Sequence, residues 1–291
     1  MTTSLEMTLA APASSTRHAN PASVKWGRLL VHATMVLLCV IAVFPIYWMV
    51  ASSFKAENEI FSLDLWPQSP SLDNYRFVLN QIPMLRMLAN TTIVAGVTAA
   101  LHVVTGLFAA YALVRWRFPF ARVVYGLIAL SWLVPFQVTM IPNYVLASKL
   151  GLLDTLAGLI IPHAAAAFAV LMLFQAMKSF PTEIIEAARM DGAGHWRILW
   201  DIITPNLRAS LASLAILAFI SAWNEYFWPL LLSRSIENSV VQIGLQMFMT
   251  QEGNLWGPLM AASTLASLPI LLVYGVLQRQ VIESFMKSGL R

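Results

Sequence analysis

The side chains that could do chemistry are few and far apart. His32, His102 and His163 could carry protons, Cys39 could act as a nucleophile or metal ligand, and Glu225 could serve as an acid or base. Catalysis and metal binding need such groups to converge. The three histidines fall in separate apolar runs, so each is expected to be packed or hydrogen-bonded rather than to relay protons. Cys39 is the only cysteine, which excludes an internal disulfide, and its apolar setting predicts plain packing. No Ser-His-Asp spacing and no G-x-x-x-x-G-K-[ST] phosphate loop occurs. No catalytic residue, cofactor or metal site is therefore expected, and the chain is not expected to be an enzyme.

The elements that hold these groups are made for lipid. The chain has 291 residues, 58% hydrophobic and 11% charged, with mean hydropathy +0.70. A soluble chain carries roughly 25% charged residues. Charge-free runs lie at 29–54, 87–114, 123–148, 155–177, 209–224 and 253–278. A helix crosses the bilayer core with roughly 20 apolar residues. Five of the runs exceed that, and the fifth in order, 209–224, continues past Glu225 as apolar sequence to Ser233. The expectation is an all-α, polytopic membrane protein with six transmembrane helices over 26–291, since a lone apolar run satisfies its backbone in lipid only as a helix. Residues 1–25, rich in Ala, Ser and Thr, read as a flexible tail. The proline-bearing segment 55–85 reads as a loop with one short surface helix.

Lys and Arg set the orientation. Arg17, Lys25, Arg28, Arg115, Arg117, Arg122, Lys178, Arg189, Arg197, Arg208, Arg279, Lys287 and Arg291 fall on one side, 13 of the 18. Both termini are expected to be cytoplasmic, and so is the charged stretch about 178–208.

That stretch, "PTEIIEAARMDGAGHWRILWDIITP", predicts a helix-turn-helix. Pro181 suits a first helical turn and Glu183 favours its dipole. Ile184, Ala187 and Ala188 share a face, and two alanines let another surface approach closely. Gly192 stops the helix. Trp196, Leu199, Trp200 and Ile203 form the apolar stripe of a second helix, which Pro205 ends. From the pattern alone, an amphipathic helix resting on the membrane surface is an equal alternative.

"EAARMDGAGHWRILWDIITP" closely resembles the EAA loop of ATP-binding-cassette importer permeases. "NTTIVAGVTAALHVVTGLFAAYALVRWRF", "VPFQVTMIPNYVLASKLGLLDTLAGLIIP", "AWNEYFWPLLL" and "VVQIGL" are similar to other segments of the carbohydrate-type members, so the resemblance covers essentially 26–291. It departs from the family at Thr204-Pro205-Asn206 and at Ala209, where a second proline is common, so a smoother start of the fifth span is expected.

The resemblance implies a bacterial-type inner-membrane permease. Its partners would be a second permease in a heterodimer, two ATPase subunits that bind ATP and Mg, and an external solute-binding protein. The solute would be a sugar or polyol; a nucleic acid partner is not implied. It further implies coupling to the ATPases through Glu186, Ala187, Ala188, Asp191, Gly192 and Ala193. A sugar wants hydroxyl partners and aromatic faces. Asn90, Gln137, Asn143, Tyr144, Trp223 and Asn224 are the candidates within the spans. Glu225 reads either as a snorkelling acid beside an interfacial tryptophan or as part of an external gate. An ion-gradient-driven carrier is the alternative function. Such carriers carry intramembrane charges and internal repeats, and only Glu225 lies near a span.

Overall fold

The computed structural model describes the backbone at 21–116, 118–250 and 253–289, and side chains from Arg28 to Arg279 except at 117, 250–252, 254 and 277. The expected tail lies outside the described residues as far as residue 20. Helix α1 (Pro21–Ser53) covers the rest. The chain divides after Trp48 into two units. In the first, every described side chain from Arg28 to Tyr47 is exposed, as suits a helix made to meet lipid or another chain. Cys39, expected to pack, is exposed there instead. One helix cannot bury its own outward surface.

The second unit holds the core. The loop after α1 contains a 3-10 turn (Glu57–Glu59), then α2 (Asp73–Gln81). The Asn74 carboxamide donates to the carbonyl oxygens of Ser53 and Lys55 (2.9 Å each), serving acceptors that the end of α1 leaves unpaired. Helix α3 (Met84–Arg115) is long and unbroken and ends on a basic residue that favours its dipole.

The next apolar runs are not straight helices. Helices α4 (Ala121–Trp132) and α5 (Phe136–Lys149) meet at 95°, where Pro135 turns Val134 away from helical geometry. Helix α6 (Leu156–Ile160), capped by the Thr155 hydroxyl, runs through a 3-10 turn (Ile161–His163) and bends 47° into α7 (Ala167–Lys178). Then come α8 (Thr182–Met190), α9 (His195–Arg197), a π turn (Ile198–Ile203) and α10 (Thr204–Asn206). A 77° bend leads into α11 (Arg208–Trp223). The start of that span is sharp, not smooth. The break falls at Leu207 rather than at Pro205, because the π turn carries the helical path through the proline. Helices α12 (Phe227–Leu232), α13 (Val241–Gln246) and α14 (Trp256–Gly289) follow, with a two-strand hairpin of β1 (Met249–Thr250) and β2 (Gly253–Asn254) before α14.

Among the described residues three helices are long and apolar enough to span a membrane, α1, α3 and α14, or up to six spans if each bent pair counts as one. The architecture is that of an all-α, multi-pass membrane protein. One apolar cluster joins α2, α3, α11, α13 and α14 through Val78, Met87, Phe219, Trp223, Val241 and Ala262. A second joins α3, α7 and α11 to the 182–206 segment.

Candidate functional site

Two places stand out, a helix-turn-helix at one end of the spans and a cavity among them whose largely apolar wall carries a few polar groups. In the first, α8 ends in a complete Schellman cap. Ala193 N–H donates to the Ala188 carbonyl oxygen (2.9 Å) and Gly192 N–H to that of Arg189 (3.0 Å). Gly192 has φ +80°, the left-handed conformation this cap requires. Ile185 is the inward anchor of α8. Ile184, Glu186, Ala187, Arg189 and Met190 are exposed, and Ala188 is half-buried. Of the face predicted for close approach, Ile184 and Ala187 are exposed, and Ala188 packs inward on the neighbouring apolar cluster.

The second helix differs from its predicted stripe. Ile198, Leu199 and Ile203 are buried, whereas Trp196 and Trp200 are 68% and 46% exposed. The π turn widens the helix, so the 3.6-residue register no longer keeps the four on one face. The two tryptophans instead pack edge-on against Phe108 of α3 at 5.9 and 6.2 Å. The segment is tied down from within. Ile185, Ile198, Leu199 and Ile203 share a cluster with Leu107, Tyr111, Leu173, Met177 and Leu214. The Tyr111 hydroxyl hydrogen-bonds His195 Nδ1 (2.9 Å).

The cavity has a volume of about 60 Å³. Thr91, Thr98 and His102 of α3 line it, with His163 at the end of the α6 run, Ser221 of α11, Glu225 and Trp228. His102 Nε2 donates to the His163 carbonyl oxygen (2.6 Å). The His163 ring lies 4.5 Å from Phe136 and 6.1 Å from Trp228. Glu225 Oε1 accepts from the Trp228 N–H (3.2 Å), so the acid caps the first turn of α12. The Thr98 hydroxyl is buried without a hydrogen-bond partner among the described residues, which leaves it for an occupant of the cavity. Two histidines and an acid from separate runs thus line one cavity, His102 hydrogen-bonded and His163 packed as expected, and among the described residues they form no group able to hold a metal ion. The signal was the stripe Thr91, Thr98, His102 at i, i+7, i+11 on one helix face.

Matches with known proteins decide the identity. The profile of the family described as "Binding-protein-dependent transport system inner membrane component" matches residues 102–286. The chain belongs to that family. It is a permease subunit of an ATP-binding-cassette importer. It is 31% identical over 273 residues to the sn-glycerol-3-phosphate transport system permease protein UgpE of Agrobacterium fabrum, covering 90% of this chain and 97% of that one. It is 29% identical over 257 residues to the lactose transport system permease protein LacG of Rhizobium radiobacter, covering 88% and 94%. Among solved structures it resembles a bacterial ABC transporter involved in the import of the acidic polysaccharide alginate. There the TM-score is 0.77 at 25% identity, over 91% of this chain and 99% of that one.

The predicted solute-contact residues of the permease are spread out, and none of the six lines the cavity. Asn90 is buried, and its carboxamide donates to the carbonyl oxygens of Glu237 and Ser239 (2.9 Å each). Trp223 is buried and stacks on Phe219 at 5.5 Å. Asn224 is exposed and bonds back to Ile220. Gln137 is exposed, Asn143 is half-buried, and Tyr144 packs beside Trp228 and Leu232.

Asp154 fastens the loops at the other end of the permease. Its Oδ1 accepts the N–H groups of Arg234 and Ser235 (2.9 and 3.0 Å), and its Oδ2 accepts the Ser235 hydroxyl (2.7 Å). The bonds from Ser235 are the main cause that lowers its pKa from 3.8 to about 2. The depressed value means the clamp adds stability above the ordinary carboxylate pKa and loses it as pH falls toward 2. Amide exchange at Arg234 and Ser235, corrected for intrinsic rates, should therefore speed up between about pH 4 and 2. Asp154→Asn tolerates the residue's φ of +57° and should already exchange fast at neutral pH. Protection unchanged in that variant would show that the carboxylate does not hold the loop.

Proposed function

We propose that this permease forms half of a translocation pathway for a sugar or related polyol, paired with a second permease. An external binding protein delivers the solute, and two partner ATPases carry ATP and Mg. In this reading the chain has six spans, α1, α3, α4–α5, α6–α7, α11–α12 and α14. Both termini and the α8–α10 segment lie on the cytoplasmic side. The exposed face of α8, with Glu186 and Ala187, docks on an ATPase.

The observation that carries this reading is the shared apolar cluster. Because Ile185, Ile198, Leu199 and Ile203 pack on Leu107, Met177 and Leu214, a push on α8 displaces α3, α7 and α11 together. A well-packed interior transmits displacement rather than absorbing it. The relatives' names supply the solute class, glycerol phosphate and lactose. The hydroxyl, imidazole and carboxylate groups of the cavity suit a polyhydroxyl solute. The cavity is small, and in this reading it is the closed form of the solute passage. The breaks on either side, after Trp223 and after His163, are where it would widen.

The test is uptake by the reconstituted complex over a panel of neutral sugars, polyols and glycerol phosphates. Uptake should need ATP and binding protein, and it should survive ionophores that collapse ion gradients. Uptake without ATP that ionophores abolish would favour the ion-driven carrier instead.

A further inference from the structure

The groove between the first turns of α4 and the last turn of α7 has no part in solute passage or coupling as described above. We propose that it binds the phosphate of an anionic phospholipid from the leaflet on the α8–α10 side. It is lined by Leu113, Ala121, Arg122, Tyr125, Phe174, Gln175 and Lys178, with a volume of about 330 Å³. Its polar chemistry is one-sided. Arg122 and Lys178 are exposed cations, and the ion pairs among the described residues, Arg76–Asp73 and Arg197–Asp201, include neither. Gln175 Nε2 donates to the Tyr125 hydroxyl oxygen (3.2 Å), which leaves the phenolic proton free to donate outward. No carboxylate lines the groove. Three donors facing one depression with no acid among them suit an anion.

The walls identify the source of that anion. Leu113, Ala121 and Phe174 are apolar, and the Tyr125 ring lies 4.4 Å from Phe174. The adjoining depression adds Val114, Trp116, Phe118 and Phe120, and tryptophan and tyrosine, here Trp116 and Tyr125, favour the headgroup level. A headgroup in the groove would rest the apolar start of its acyl chains against those walls. A free anion would use none of that surface. Basic depressions between spans suit anionic headgroups on general grounds.

The experiment reconstitutes the full chain, alone and with its partner subunits, in phosphatidylcholine with phosphatidylglycerol as the minor component. Lipid kept through detergent exchange is then counted. Wild type should retain phosphatidylglycerol in excess of its bulk share. Each cation near an anionic surface is worth roughly fivefold, so Arg122→Gln with Lys178→Gln should remove most of the excess. Arg122→Lys should keep it, which separates lost charge from a damaged fold. Lys149→Gln with Arg234→Gln, at the other end of the spans, should leave it unchanged. The proposal is overturned if the Arg122/Lys178 variant retains as much as wild type. It is equally overturned if inorganic phosphate displaces the lipid, which would mark a free-anion site. Loss of the excess on adding the partner subunits would also overturn it, because a protein would then cover the groove.

Discussion

Gly192→Val is expected to abolish solute uptake while the chain still inserts in the membrane at near-normal levels. The reason is conformational, not spatial. No atom lies within 4 Å of where a Cβ would sit, but φ is +80°. Left-handed backbone costs an ordinary residue roughly 1–2 kcal/mol, and a β-branched one is a genuine outlier there. Relief means leaving the left-handed region, which breaks the bonds from Ala193 to Ala188 and from Gly192 to Arg189. The exit direction of α8 then changes, and with it the angle to α9. One displaced helical turn is roughly 5.4 Å, far more than a packed contact with a partner tolerates. Insertion follows from the apolar sequence of the spans themselves and does not depend on this turn.

Gly192→Asn is the discriminating partner, because asparagine visits the left-handed region routinely; it should retain most of the uptake. Gly194→Ala should be silent, with φ −74° and open space around it. ATPase pull-down and solute-stimulated ATP hydrolysis read the result. If Gly192→Val matches wild type in both and in uptake, α8–α10 is a surface helix pair and not the coupling element.

How much of this was legible in the sequence depended on how local the cause was. The turn at Gly192 was readable because a glycine after an amphipathic run has few other uses. The apolar runs were readable because charge is costly in lipid. Their bends were less so: Pro135 signals the one between α4 and α5, but no residue signals a π turn at Ile198–Ile203, whose register moved Trp196 and Trp200 out of the expected stripe. The cavity was the hardest to see. His102 and His163 stand 61 positions apart, and only the close packing of α3 against the α6–α7 run brings them together. The same non-locality explains Asn90. Polar residues in a span suggest solute contact, yet its carboxamide is engaged with backbone 147 and 149 positions away.

The close packing beside that cavity rests on one missing side chain, and Gly158→Ala is expected to damage the permease more than any other glycine-to-alanine change within its helices. Gly158 lies in α6, one residue before the buried Leu159 of the cavity wall. A Cβ there would collide with the carbonyl oxygen of Leu152 and come within 2.9 Å of Leu232 Cδ2. The leucine tip can rotate, but the carbonyl cannot. It belongs to a turn fixed by the Leu152 N–H to the Ala147 carbonyl oxygen (2.9 Å) and by the Thr155 hydroxyl to its own oxygen (2.8 Å). So α6 must move instead. Its movement strains two bonds made by Gly158 itself, N–H to the Thr155 hydroxyl (3.0 Å) and carbonyl oxygen from Trp228 Nε1 (3.1 Å). Overpacking of this kind costs roughly 1–3 kcal/mol, and the lost Trp228 bond adds about 1 kcal/mol. The thermal midpoint of the detergent-solubilised subunit should fall clearly, and valine should lower it further. Gly96→Ala and Gly126→Ala, where nothing lies within 4 Å, should match wild type or melt slightly higher. If Gly158→Ala melts with them, α6 is free to shift, and the cavity wall is a moving part rather than a fixed one.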